Sequence, residues 1–315
     1  MWERGERGVK VSILMITYNH EKYIAEALDS VLMQEVDFDY EIVIGEDCST
    51  DGTREIVLAY QRRHPDRIRP LLPASNIGMI QNFVQTYQAC RGELVAILEG
   101  DDFWTCSKKL QKQVDFLDAH PESAICFTTT KVFYEEKDAP DYLFPAQCKE
   151  VSCIEDLLLG NFMQTCSVMC RNRLFGEFPE WFFFGVIGDY PLHVLNAGHG
   201  SIGYLPEVMA AYRVHSAGVW SMQMEKNFTR NVLAGIQMYR NLDAYFDYRH
   251  HETIRKVIHR HEFALCKWHL KHRNYQAFAL HCFKATVRSP DLVISDLIKM
   301  LSDGPKGNSF TKAAS

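Results

Sequence analysis

Two adjacent carboxylates, Asp101 and Asp102, follow the apolar run at 94–98 (LVAIL) after Glu99 and Gly100. Neighbouring acids at the end of a buried strand repel each other and lose hydration. A divalent cation removes both penalties, and hard oxygen donors without an adjoining histidine suit Mg2+ or Mn2+. The competing local reading is structural, with Asp102 as the N-cap of a turn starting near Trp104. Asp47 ends a second apolar run, 40–44 (YEIVI), after Gly45 and Glu46. A carboxylate there can accept from a base N–H or a ribose hydroxyl. It can equally initiate the turn 47–53 (DCSTDGT). Asp189 heads a helix-like segment through His193 and Leu195, where an N-cap is the local expectation. His215 follows the β-like run AAYRV, and by itself is a structural or solvated histidine.

These groups need elements to hold them. Residues 11–17 (VSILMIT) are almost continuously apolar, which suits a strand buried on both faces. Residues 21–33 place Ile24, Leu28, Val31 and Leu32 on one helical face. Strands at 40–44, 68–72 and 94–98 then alternate with helices at 53–63 and 79–90. A turn at Asn76-Ile77-Gly78 precedes the second of these helices. This alternation predicts βαβ units and a mostly parallel sheet with flanking helices. Ligands of such sheets sit beyond the C-terminal strand ends. Three polar clusters fall there: Thr17-Tyr18-Asn19, Glu46-Asp47 and Asp101-Asp102.

Beyond residue 110 the pattern changes. A helix is expected at 110–120, a strand at 124–130, and an exposed loop or hairpin at 131–150. A short helix at 154–159, a strand at 165–170, a helix from 189 to 197, and strands at 201–205 and 210–214 follow. Helices at 228–246, 252–270 and 275–287 make a C-terminal extension, with a short amphipathic helix at 292–301. The expected organisation is 1–110 and 111–222 as two halves of one domain, 223–302 as the helical extension, and 303–315 as a disordered tail.

Composition removes several classes of function. A formal charge of -6 lacks the basic face that nucleic-acid binding requires. No run of about 18 apolar residues is present to span a membrane. The segment 1–10 is charged, so no secretory signal is expected and the cytoplasm is the default location. The 10 cysteines include no CxxC pair, so free thiols are expected. Residues 198–203 match GxGxxG but follow a helix instead of a strand, so the phosphate-cradling context fails. The histidines at 250, 251, 259, 261, 269 and 272 contain no HExxH, and most are expected on exposed helical faces.

The motifs taken together are specific. Segments 11–34 (VSILMITYNHEKYIAEALDSVLMQ), 40–53 (YEIVIGEDCSTDGT), 75–83 (SNIGMIQNF) and 94–104 (LVAILEGDDFW) resemble the family 2 inverting glycosyltransferases of GT-A fold, in order, spacing and strand-end placement. GDYPLH at 188–193 and YRVHSAGVWS at 212–221 extend the likeness more loosely. The resemblance implies a Rossmann-like sheet and transfer of a sugar from a nucleoside-diphosphate sugar to an acceptor hydroxyl. It implies that Thr17, Tyr18, Asn19, Glu46, Asp47, Asn76, Gly78 and Asp101 hold the donor nucleotide, with Tyr18 stacking on the base. Asp102 and His215 would bind Mg2+ or Mn2+, and Asp189 would be the catalytic base. Trp104 and Trp220 are candidates for the sugar or acceptor pocket, with core packing equally open for either. The implied acceptor is a glycan or a lipid-linked glycan of cell-surface polysaccharide synthesis. A peripheral contact with the inner face of the membrane would go with it. The chain departs from the family pattern at Glu46, at Cys106-Ser107 and at Gly188. The rival reading is a non-catalytic nucleotide-sugar or glycan-binding module. A phosphoryl- or nucleotidyltransferase would need a Gly-rich loop or a lysine after the first strand, and Tyr18-Asn19-His20 supplies neither.

Overall fold

The computed structural model describes residues 8–216 and 227–294. The chain divides into two compact units, one of 1–154 with 162–222, the other of 155–161 with 223–315.

The first unit begins with βα alternation. β1 (Val11–Thr17) leads to α1 (Ile24–Leu32), β2 (Tyr40–Glu46), α2 (Thr53–Arg63), β3 (Ile68–Leu71), α3 (Met79–Ala89) and β4 (Leu94–Ile97). All residues of β1, β2 and β4 are buried, as continuous apolar strands between two helical layers must be. β3, β2, β1 and β4 lie side by side, and every pairing among them is parallel. The register sets Thr17 beside Glu46, and Leu14 beside Ile97. Gly100 N–H donates to Ile16 O at 3.0 Å, so the chain after β4 still runs along β1. A Cβ on Gly100 would lie 2.7 Å from Thr17 Oγ1, and glycine is required for that approach. α1 buries Ile24, Ala27, Leu28 and Val31 on one face, at the expected helical spacing.

After β4 the sheet becomes mixed. β5 (Phe103–Trp104), α4 (Lys109–Ala119), β6 (Ser123–Tyr134), β7 (Tyr142–Phe144), β8 (Val151–Ser152), β9 (Met169–Arg171), α6 (Asp189–Ala197) and β10 (Ser201–Val214) follow; α5 (Ile154–Leu159), before β9 in the chain, belongs from its second residue on to the second unit. β9 runs antiparallel between β4 and β6, while β6 and β10 are parallel. The 131–150 segment contains a hairpin of β6 with β7. Two expectations change, and a segment given no assignment proves ordered. Residues 165–167 form a 3-10 turn before β9, and 180–184 a second one. The two strands expected at 201–205 and 210–214 are one strand whose register shifts between Leu205 and Ala210. Pro206 lies within that shift, where the missing N–H costs no ladder bond. Gly203, inside the GxGxxG match, is a packing glycine, since a Cβ there would meet the Phe116 ring.

Lys109 is fully buried in this unit. Its Nζ donates to Gln113 Oε1 at 2.6 Å and lies 4.3 Å from the centre of the Trp104 ring. Burial pulls its pKa down to about 7. The unfolded chain keeps this lysine protonated up to a pH near 10.4, so between pH 7 and 10 the unfolded state binds more protons and stability rises with pH. Denaturant titrations should show wild type gaining about 1.4 kcal/mol per pH unit relative to Lys109→Met across that window. Parallel curves for the two proteins would show that Lys109 folds with its charge intact.

The second unit contains α7 (Phe228–Tyr245), α8 (His251–Lys271) and α9 (Tyr275–Arg288). The Asn274 side chain caps α9 by accepting from Ala277 N–H at 3.2 Å. Exposure was expected for most of the histidines here, yet His259 and His269 are buried, together with His281. His281 Nδ1 lies 2.8 Å from Glu262 Oε2, and such partners make burial tolerable. Among the described residues, no group of three or more His, Cys, Asp or Glu side chains is gathered to hold a metal ion. All ten cysteines are free thiols.

Candidate active site

Three strand ends and the start of α6 make the site. At the end of β1, Thr17 is buried and its Oγ1 has no hydrogen-bond partner. Tyr18 is 42 % exposed. Asn19 adopts φ 57°, in the left-handed region that asparagine tolerates. Its Oδ1 accepts from Thr50 N–H at 2.8 Å, and its own N–H donates to Ser49 Oγ at 3.0 Å. Asn19 therefore ties the first βα loop to the second.

At the end of β2, Glu46 is buried, accepts from Ser49 N–H at 2.7 Å and pairs with Arg54. Asp47 accepts from Ile77 N–H at 2.7 Å through Oδ1 and from Gly78 N–H at 3.0 Å through Oδ2. Asn76 Nδ2 donates to Asp47 O at 3.0 Å. Gly78 has φ 86°, which a side chain would strain. Thus the structure brings Asp47, Asn76 and Gly78 together as one clasp at the start of α3. Each Asp47 oxygen keeps a further lone pair for a ligand donor.

Acidic charge gathers after β4, where Glu99, Asp101 and Asp102 act on one another. Asp102 is buried, and its Oδ1 accepts from Arg213 N–H at 2.9 Å. Its Oδ2 has no hydrogen-bond partner, although the Cys166 thiol is near. Burial first and the Asp101 charge second push the Asp102 carboxyl well above the usual carboxylate range. Burial likewise raises Glu99, helped by the charges of Asp101, Asp102 and Asp189. Asp101 behaves oppositely. Burial pushes it up, but the His20 and His215 imidazoles outweigh that and hold it below its ordinary value. His215 Nε2 lies 3.1 Å and His20 Nε2 3.6 Å from Asp101 Oδ2. Arg213 also donates from Nε to Asp101 O at 3.0 Å, and its guanidinium lies over the Tyr23, Phe103 and Phe133 rings.

Asp189 is the first residue of α6, and its Oδ2 accepts from Thr165 Oγ1 at 2.6 Å. One turn on, His193 is wholly buried, which pulls its pKa down to about 4 although Asp189 works against the shift. That imidazole is neutral at physiological pH, so no cation stands behind Asp189 to weaken it as a proton acceptor.

Asp101, Asp102 and Asp189, far apart in the chain, thus all act on Glu99, and His215 joins them through Asp101. Trp104 does not line the site. It is 1 % exposed in the core, its N–H donates to Ser30 Oγ at 3.0 Å, and its Nε1 donates to Cys166 O at 2.8 Å. Trp220 lies outside the described residues. Sequence reasoning missed Glu99, His20, Arg213, Thr165 and His193 as site residues. Glu99 and His20 stand inside the EGDD and TYNH motifs, and Arg213 shares a strand face with His215 by the period of two. Thr165 had no signal.

Among the described residues no three protein groups are gathered around one point here, so the donor chemistry suits a hard divalent cation only where substrate oxygens complete its ligands. The donor set offers carboxylates, one of them with a buried, unpartnered oxygen, and an imidazole beside them. Mg2+ and ions like it are bound by one or two carboxylates plus substrate phosphates, so a closed protein cage is not needed.

Residues 12–174 match the family described as glycosyl transferase family 2. The protein Rv1520 of Mycobacterium tuberculosis is 38 % identical over 250 residues, covering 79 % of this chain and 71 % of its own length. Among solved structures, S. aureus TarS 1-349 in complex with UDP-GlcNAc superposes with a TM-score of 0.65 at 20 % identity, over 90 % of this chain and 83 % of that one. The mannosyltransferase PcManGT of Pyrobaculum calidifontis, in complex with GDP-Man and Mn2+, gives a TM-score of 0.53 at 17 % identity, over 95 % and 89 %. At those identities the likeness concerns the fold.

Proposed function

This chain belongs to glycosyl transferase family 2, is a glycosyltransferase and has the GT-A fold, and from that premise we propose that it moves a sugar from a nucleoside-diphosphate sugar to an acceptor hydroxyl with inversion at the anomeric carbon. The observation that carries this reading is that Asp101 and Asp102 beyond a strand end and Asp189 at the start of α6 all bear electrostatically on buried Glu99. Exposed Tyr18 stacks on the base. Asp47, clasped with Asn76 and Gly78, takes a donor from the base, and Thr17, Asn19 and Glu46 shape the loops around the nucleotide. Asp101 faces the ribose or sugar. Asp102 and His215 hold Mg2+ or Mn2+, which when bound offsets charge on the diphosphate as a Lewis acid. The Mn2+ in the PcManGT complex supports a divalent ion of this kind.

Asp189 is the base. Thr165 O–H holds Oδ2 and leaves Oδ1 to take the acceptor's proton. As the acceptor oxygen bonds to the anomeric carbon, the bond to the diphosphate breaks on the opposite face and the proton passes to Asp189. The acceptor is a glycan or a lipid-linked glycan of surface-polysaccharide synthesis. No helix among the described residues is long and apolar enough to cross a membrane, and a peripheral contact at the cytoplasmic face suits such an acceptor. Screening nucleotide sugars with Mn2+ identifies the donor. The anomeric configuration of the product, read by NMR, should be opposite to that of the donor, and a retained configuration would overturn single displacement.

A further inference from the structure

The 3-10 turn at 165–167 carries the hydroxyl that holds Asp189, and core side chains hold the turn. Ser167 N–H donates to Gln164 O at 2.9 Å and Val168 N–H to Thr165 O at 3.2 Å, which closes it. The last carbonyls of so short a turn lack an N–H partner within it. Trp104 Nε1 donates to Cys166 O at 2.8 Å, and Gln113 Nε2 to Ser167 O at 3.0 Å. The same Nε2 donates to Cys126 O of β6 at 3.1 Å. Gln113, on α4, therefore ties the turn to the sheet.

Gln113, Cys166 and Ser167 are wholly buried, so none of these bonds competes with water. Gln113 Oε1 accepts from Lys109 Nζ at 2.6 Å. With Oε1 facing that donor, Nε2 faces the two carbonyls, and the amide has one orientation. A buried lysine costs stability, and an apolar residue in its place would leave Oε1 unpartnered. From the same turn, Thr165 Oγ1 reaches Asp189 Oδ2 at 2.6 Å.

We propose, resting on the reading of Asp189 as the base, that Gln113 is a positioning residue for sugar transfer: by pinning Ser167 it sets where Thr165 holds the Asp189 carboxylate. A small displacement of the turn shifts the proton-accepting oxygen relative to the acceptor hydroxyl, and transfer is steep in that geometry. Donor binding is held by other bonds, Asp47 by Ile77 and Gly78 N–H and Asp102 by Arg213 N–H.

Release of nucleoside diphosphate by the full chain, from the nucleotide sugar that the Mn2+ screen selects, tests this beside donor affinity. The variants are Gln113→Met, Gln113→Glu and Thr165→Val, singly and with each Gln113 change added to Thr165→Val. Thr165→Val should lower kcat about tenfold, and each Gln113 variant about threefold to tenfold, with donor affinity unchanged. Gln113→Met leaves Lys109 Nζ, Cys126 O and Ser167 O without their partner and weakens the fold. Gln113→Glu keeps an acceptor for Lys109 but no N–H for Ser167 O, so it folds and carries the test. In the Thr165→Val background, either Gln113 change should lower kcat by less than about twofold more, because its effect runs through Thr165. A merely structural residue would cost the same factor in both backgrounds. Full kcat in Gln113→Glu, equal losses in the two backgrounds, or a fall in donor affinity matching that in kcat would each overturn the proposal. Normal turnover in Asp189→Asn would instead remove the base itself, so the two failures are distinct.

Discussion

Asp189→Asn is expected to bind the donor as wild type does and to lose transfer by a factor of about 10² to 10⁴. The substitution keeps the side chain's size and leaves an oxygen to accept from Thr165 Oγ1. It removes the one property a base needs, a lone pair with affinity for a proton. Donor affinity should hold, because Asp189 starts α6 and its side chain bonds to Thr165, while Asp47 is held by Ile77 and Gly78. Loss of its negative charge also relieves the repulsion that raises Glu99, so the fold should not weaken. Measurement of donor affinity beside turnover separates the outcomes. Normal turnover would remove Asp189 as the base, and loss of both would make it a structural cap of α6.

Asp102→Asn should show the opposite division, with stability kept or raised and Mn2+-dependent donor binding lost by at least about tenfold. The carboxyl is buried with one oxygen unpartnered, and its charged form is disfavoured by burial and by Asp101. A neutral amide of the same shape escapes that penalty, and an oxygen placed as Oδ1 still accepts from Arg213 N–H. A residue that costs stability at a site and is needed there for binding is the expected pattern of a functional acid. Calorimetric titration of donor with and without Mn2+, together with a thermal melt, reads both effects. Intact Mn2+-dependent binding would sink the metal assignment. A marked fall in melting temperature would make Asp102 a structural residue.

These two acids also mark how far the sequence could be read. The strands bearing Thr17, Glu46 and the acids after β4 were legible because a strand buried on both faces writes itself as an unbroken apolar run. Parallel βα order then forces their C-terminal ends to one edge. The α1 face was legible for the same kind of reason, since its periodicity is local. The mixed half of the sheet was less so. The strand β9 has three residues, and its place between β4 and β6 is a matter of long-range pairing that no local pattern encodes.

What the amino-acid order by itself determined is the family, the parallel half-sheet and the strand-end addresses of the acids, because each depends on short-range spacing of apolar and polar residues. Only the tertiary structure decided that Trp104 is core, that His20 and His215 flank Asp101, and that Thr165 orients Asp189. Burial and charge at a point are sums over neighbours far apart in the chain, and those neighbours exist only once it has folded.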